Sequence, residues 1–152
     1  MSLHTALVKI EEEKISSEKA KEFIASEKNG AESIFIGRVR NENNGKKVKA
    51  VTYDVHEPMV IKSFKSICNT AKNKFDSNCR VFLEHAIGYV PLGEISIVIA
   101  IGAGHRDEVF KICRYILEEV KHQSPIWKKE HYVEGTEDWL PGHSLRPKRE
   151  VK

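Results

Sequence analysis

The strongest constraint on the fold is the apolar run from Ile95 to Ala103. A helix needs roughly 20 apolar residues to cross a bilayer, and this run is about half that length, so we expect a core element and no membrane span. The segment Glu94 to Ile101 is apolar on both faces of an extended chain, which is typical of a central strand. The sequence therefore predicts a domain built around one buried strand.

The composition indicates a single folded domain. The chain has 152 residues, of which 40% are hydrophobic and 31% charged, a balance that excludes a disordered or fibrous protein. Its net charge of +3 is too small to identify a nucleic-acid binder. Three cysteines without C-x-x-C spacing predict reduced thiols, and the lack of a secretory signal at the N-terminus predicts a cytoplasmic protein.

Hydrophobic periodicity divides the chain into strands and helices. We expect six strands, over Thr5–Ile10, Ser33–Arg40, Lys47–His56, Arg80–His85, Glu94–Ile101 and Ile126–Val133. We expect three helices, from Ser16-Ser17 to Asn29-Gly30, from Pro58 to Phe75, and from Asp107 to the break before Pro125. This order lacks a regular alternation of strand and helix, and it therefore predicts an α+β fold with a mixed, mostly antiparallel sheet.

Local signals predict how these elements begin, end and pair. Asn44-Gly45 favours a hairpin that pairs the second strand with the third, and Asn29-Gly30 favours a left-handed helix cap. Gly88 to Gly93 is expected to turn the chain, and Asp107 to cap the third helix. We expect one domain over residues 1–142 and a basic, flexible tail over residues 143–152.

Glycines and basic residues follow the central strand in the segment Gly102-Ala-Gly104-His105-Arg106. Backbone N–H groups at a helix N-terminus attract anions, and Arg106 adds a forked cation suited to phosphate. The alternative is that the glycines only turn the chain while His105 and Arg106 point into solvent.

Two lysines, Lys121 and Lys128, flank the break at Pro125. Near the core boundary beside Trp127, loss of water and a neighbouring cation would both lower a lysine pKa and leave an amine able to act as base or nucleophile. The simpler interpretation is that lysines at a helix C-terminus only offset the helix dipole.

Strand alternation predicts that Arg38 and Arg40 share a face and could share an anion. An anion- or RNA-binding module is therefore an alternative function, whose affinity would fall steeply with salt. The histidines lack the spacing of metal ligands, so we expect neither a metal nor a cofactor. The cysteines show no cationic signature of a reactive thiol, and Cys68 and Cys113 lie on predicted core faces, which makes a cysteine nucleophile unfavourable.

Several motifs follow one another between Ala31 and Trp139: Phe35-Ile-Gly37-Arg-Val-Arg40-Asn41, Gly88, Gly93-Glu94, His105-Arg106, Lys121 and Pro125-Ile-Trp127-Lys128-Lys129-Glu130. In that order and at those separations they resemble the large, catalytic subunit family of molybdopterin synthase. The resemblance implies a fold of the α/β-hammerhead type and a sulfurtransferase of molybdenum cofactor biosynthesis. Such an enzyme converts cyclic pyranopterin monophosphate (precursor Z) to molybdopterin.

The resemblance also implies partners. The sulfur donor is a small ubiquitin-like subunit with a thiocarboxylate on its C-terminal Gly-Gly, and the large subunits form a homodimer within a heterotetramer. Neither nucleic acid nor a membrane is implied. A degenerate subunit that only scaffolds the partner is a further alternative.

Residue roles come from the same resemblance. Lys121 matches the residue that acts as acid, base or covalent amine, and Lys128 matches the lysine that holds the thiocarboxylate. Arg40, Phe35 and the pair His105-Arg106 match the substrate pocket, the pair being contributed by the neighbouring protomer. The chain departs from the family pattern at Ala86 and at Leu140 to His143.

Overall fold

The computed structural model describes residues 1–140, which form three helices and eight strands. The helices are α1 (Ser17–Ile24), α2 (Glu57–Phe75) and α3 (Arg106–Gln123). The strands are β1 (Leu3–Lys9), β2 (Ala31–Arg38), β3 (Glu42–Asn43), β4 (Lys46–Val55), β5 (Arg80–Pro91), β6 (Ile95–Ala103), β7 (Ile126–Tyr132) and β8 (Glu137–Trp139). The predicted α+β class is confirmed, whereas the boundary at residue 142 and the basic tail lie outside the described residues.

The strands form one sheet in the order β2-β6-β5-β4-β7-β8, with β1 attached to β5 and β3 to β4. Only the β1–β5 pair is parallel among the strands described. β6 lies between β2 and β5 and is buried along nearly its whole length. The prediction of a central, doubly buried strand is therefore confirmed.

The helices cover the two faces of one half of this sheet. α3 packs on β2 and β6, and α2 packs on α3 and β1. α1 packs on the other face, where the Phe23 and Phe82 rings lie 5.9 Å apart. No helix within residues 1–140 is long and apolar enough to cross a membrane.

The predicted pairing of the second and third strands is wrong. β2 pairs with β6, and the Asn44-Gly45 turn joins only the short β3 to β4. Asn44 and Gly45 do adopt the positive φ angles that their sequence favours, 51° and 78°. β6 is buried on both faces, so the backbone groups along both of its edges must pair with neighbouring strands. Gly37 lets β2 approach β6 closely, because a Cβ at that position would lie 2.7 Å from Ile97 Cγ2.

Three further boundaries differ from the prediction. α1 ends at Ile24, whose carbonyl accepts a hydrogen bond from the Asn29 side chain at 2.9 Å, so Asn29 caps by its amide and not by a left-handed backbone. β5 continues through Gly88 to Pro91 because that segment pairs with β4. α3 begins at Arg106 with His105 in the N-cap position, two residues before the predicted cap Asp107.

Candidate functional site

The inner face of β7 carries a half-buried lysine, Lys128. Lys128 lies opposite Tyr53 of β4, and Glu130 lies opposite Val51, so alternation places these side chains on one face of the sheet. That face is buried: Glu130 is 3% exposed and Tyr53 is 7% exposed. Lys128 is half-buried among them.

Loss of water lowers the pKa of Lys128, and the positive charges of Arg40 and Lys121 lower it further, while the Glu130 carboxylate opposes both. The shift shows that three predicted site residues lie close enough to interact. Arg40 follows β2, Lys121 is on the last turn of α3 and Lys128 is on β7. The fold thus joins residues that are far apart in sequence into one cationic site.

Glu130 is the anionic group of this site. Its Oε1 atom accepts hydrogen bonds from the Asn43 amide at 2.8 Å and from the Tyr132 hydroxyl at 3.1 Å. A buried carboxylate held in this way favours the protonated form of the neighbouring ammonium. Sequence analysis assigned Glu130 no role, although the alternation that places Lys128 on the inner face places Glu130 there too.

His85 and Tyr53 form the apolar side of the site. Their rings meet edge to face, with centroids 4.9 Å apart and planes at 87°. His85 is fully buried, and burial lowers its pKa to about 4. Its Nδ1 donates a hydrogen bond to the Ala86 carbonyl at 2.7 Å, whereas Nε2 has no partner among the described residues. The ring is therefore neutral at neutral pH.

Phe35 lies outside the described contacts of the lysine site. It lines a groove between β2 and α3 together with Phe110 and Leu117. Phe35 is half-buried, and neither Lys121 nor Lys128 lines this groove. The predicted role of Phe35 in the substrate pocket therefore stays a prediction.

His105 and Arg106 stand at the opposite end of α3. Both are exposed, and the fifteen residues from Arg106 to Lys121 span about 22 Å of helix. Within one chain they therefore cannot share a small substrate with Lys121 and Lys128. The predicted anion site at the helix N-terminus therefore lies on a separate, solvated surface and stays a prediction.

Arg38 and Arg40 do not share the predicted strand face. β2 ends at Arg38 after an irregularity in its pairing, so strand alternation does not extend to Arg40. Arg38 instead donates a hydrogen bond to the Gly93 carbonyl at 2.9 Å. The basic strand face on which the RNA-binding alternative depended is not formed.

The three cysteines are free and buried. The expectation that no cation lies beside a cysteine is wrong. The Lys72 ammonium donates a hydrogen bond to the Cys79 carbonyl and lies 3.9 Å from the Cys79 Sγ. Burial nevertheless raises the pKa of all three thiols, that of Cys68 to about 12. Across residues 1–140, no three His, Cys, Asp or Glu side chains lie close enough together to hold a metal ion.

Fold and site together define an α+β protein with a cationic lysine site where its third helix meets a buried strand. The family model described as MoaE protein matches residues 10–123, which include Lys121. The chain is 38% identical over 130 residues to the molybdopterin synthase catalytic subunit of Synechococcus elongatus, covering 86% of this chain and 79% of the relative. The chain belongs to the MoaE family, the family of molybdopterin synthase catalytic subunits.

Two solved structures share the fold. The crystal structure of molybdopterin synthase from Staphylococcus aureus superposes with a TM-score of 0.82 at 29% identity, covering 90% of this chain and 96% of that one. A complex of subunits 1 and 2 of molybdopterin-converting factor from Helicobacter pylori superposes with a TM-score of 0.71 at 20% identity, covering 97% and 95%.

Proposed function

We propose that the chain converts cyclic pyranopterin monophosphate to molybdopterin by transferring two sulfurs from the thiocarboxylated C-terminal Gly-Gly of a small ubiquitin-like subunit. Membership of the MoaE family supports the reaction class. The observation that carries the proposal is the half-buried Lys128, whose pKa is lowered by burial, Arg40 and Lys121. The buried, reduced thiols fit a cytoplasmic location.

Each lysine has its own task in this proposal. Lys128, whose protonated form is favoured by the Glu130 carboxylate, holds the incoming thiocarboxylate and stabilises negative charge that develops during transfer. Lys121 acts as acid or base, or as an amine that bonds to the transferred group. The task of Lys128 requires a cation partly removed from water, and Lys128 is half-buried with a lowered pKa.

The substrate phosphate would bind His105 and Arg106 of a second copy. The helix length that separates this pair from the lysines within one chain supports a site shared across a homodimer. With one small subunit on each large subunit, the assembly is a heterotetramer. The Helicobacter pylori structure, a complex of two subunits, supports the heteromeric part of this arrangement.

The test is a reconstituted reaction. Full-length chain, thiocarboxylated small subunit and cyclic pyranopterin monophosphate are mixed, and the dithiolene product is measured. We expect product from the wild type and none from Lys121→Ala, with both proteins folded. If the wild type binds the small subunit but makes no product, the chain is a scaffold and the proposal fails.

A further inference from the structure

Both tryptophans of the chain line one pocket on the outer face of the sheet, together with Asp54. Asp54 lies opposite Trp127 across β4 and β7, and Trp139 lies opposite Lys129 across β7 and β8. Directly opposed residues of antiparallel strands point to the same face, so the three side chains converge. Glu57 borders the adjoining part of the same depression.

Among residues 1–140, the helices make their main sheet contacts away from this face. The three helices pack on β1, β2, β5 and β6, and β8 is the edge strand among the described residues. Trp139 is 51% exposed. An exposed tryptophan on an open sheet face is a frequent anchor for a protein partner.

The charges in the pocket favour a cationic ligand. Asp54 and Glu57 make no side-chain hydrogen bond or ion pair within residues 1–140. The neighbouring Lys129 ammonium lies 5.1 Å from the Trp139 ring centre and 3.8 Å from Glu137, so a carboxylate already offsets its charge. Aromatic faces beside unpaired carboxylates bind guanidinium and ammonium groups.

We propose that this Trp127–Trp139 pocket receives an arginine or lysine side chain of the small subunit, an inference that rests on the proposed function. Consecutive residues of β7 carry Trp127 on the outer face and Lys128 on the inner face. A subunit anchored at Trp127 therefore lies beside the strand whose Lys128 its C-terminus must reach. The anionic pterin phosphate is excluded from the pocket by the two carboxylates.

Intrinsic fluorescence tests the proposal, because both tryptophans of the chain report on this pocket. The cognate small subunit is titrated into full-length wild type, Asp54→Asn and Glu27→Gln. Glu27 is an exposed residue between α1 and β2, and its variant loses the same charge far from the pocket. We expect Asp54→Asn to bind about tenfold more weakly and Glu27→Gln to bind like the wild type.

Turnover separates docking from chemistry. At saturating small subunit the kcat of Asp54→Asn should equal that of the wild type, because Asp54 does not touch the lysine site. Equal affinities of Asp54→Asn and Glu27→Gln would overturn the proposal. So would a loss of self-association by Asp54→Asn alone in sedimentation, which would assign the pocket to a second copy. Normal binding without product from the wild type would contradict the proposed function and leave the docking site supported.

Discussion

The two ends of α3 both carry basic side chains, yet their surroundings differ. At the N-terminus His105 and Arg106 are exposed to solvent. At the C-terminus the charge of Lys121 acts on Lys128, which is half-buried and has a lowered pKa. A solvated cation can hold a phosphate, whereas a reactive amine must be partly removed from water. In the proposed function the same helix therefore carries a binding end, at His105 and Arg106, and a chemical end, at Lys121.

The largest effect is expected at the chemical end. Lys128→Ala removes the desolvated ammonium, and we expect kcat to fall by at least about 100-fold, as when one group that stabilises developing charge is lost. Lys111→Ala is the matched control, since Lys111 is an exposed α3 lysine paired with Asp107 at 2.8 Å. Activity of Lys128→Ala near that of Lys111→Ala would refute the assignment.

A pH experiment tests the burial of His85, whose ring contacts Tyr53 beside Lys128. The folded-state pKa of His85 is about 4, against about 6.5 for an exposed histidine. Between these values the unfolded chain binds a proton that the folded chain does not, so stability falls as the pH falls. The loss from this residue is about 3 kcal/mol at pH 4.

The comparison uses His85→Phe, which keeps an aromatic ring against Tyr53 and removes the titrating group. Urea unfolding at pH 7 and pH 4 should show the wild type losing about 3 kcal/mol more than the variant. Parallel losses in the two proteins would mean that His85 is protonated in the folded state without cost.

A smaller effect is expected at the binding end. Arg106→Ala should raise the KM for the pterin substrate about tenfold, because a charge-assisted hydrogen bond to phosphate is lost, while kcat changes little. Steady-state kinetics with Lys111→Ala as the reference checks this. An unchanged KM would remove Arg106 from the phosphate site.

The last effect, on stability alone, concerns the loop that positions the binding end. A Cβ at Gly30 would approach the Gly104 carbonyl oxygen, a backbone atom that cannot move aside easily, whereas a Cβ at Gly104 meets nothing within 4 Å. We expect Gly30→Ala to lower the free energy of unfolding by about 1–3 kcal/mol. Gly104→Ala should change it by less than about 0.5 kcal/mol. Equal values in urea unfolding would contradict this.

Much of the fold could be predicted from local patterns. The apolar run Ile95 to Ala103 identified the central strand, and the periodicity after Pro58 and Asp107 located α2 and α3 within a few residues. The pairing of β2 could not be predicted, because Asn44-Gly45 specifies a tight turn but not the length of the strands that the turn connects. The edge strand β8 has no apolar pattern, since all of its residues are exposed.

The candidate site was partly accessible from sequence. Alternation along β7 separates Lys128 from Lys129, and the motif resemblance selected Lys121 and Arg40. That Arg40, Lys121 and Lys128 interact depends on how the fold places the segment after β2, the end of α3 and β7, which no local pattern contains. Tyr53 and His85 were not singled out for the same reason, since strand pairing places Tyr53 opposite Lys128 and His85 contacts Tyr53.

Mixed dimers test the central claim, a lysine site completed by the binding end of a second copy. Lys128→Ala chains and His105→Ala, Arg106→Ala chains, each inactive alone at low substrate concentration, are unfolded together, refolded and assayed for molybdopterin with thiocarboxylated small subunit. Random pairing should restore roughly a quarter of wild-type activity, because half of the dimers contain one intact shared site. No recovery, with mixed dimers present, would place all three residues in one chain's own site and contradict the account.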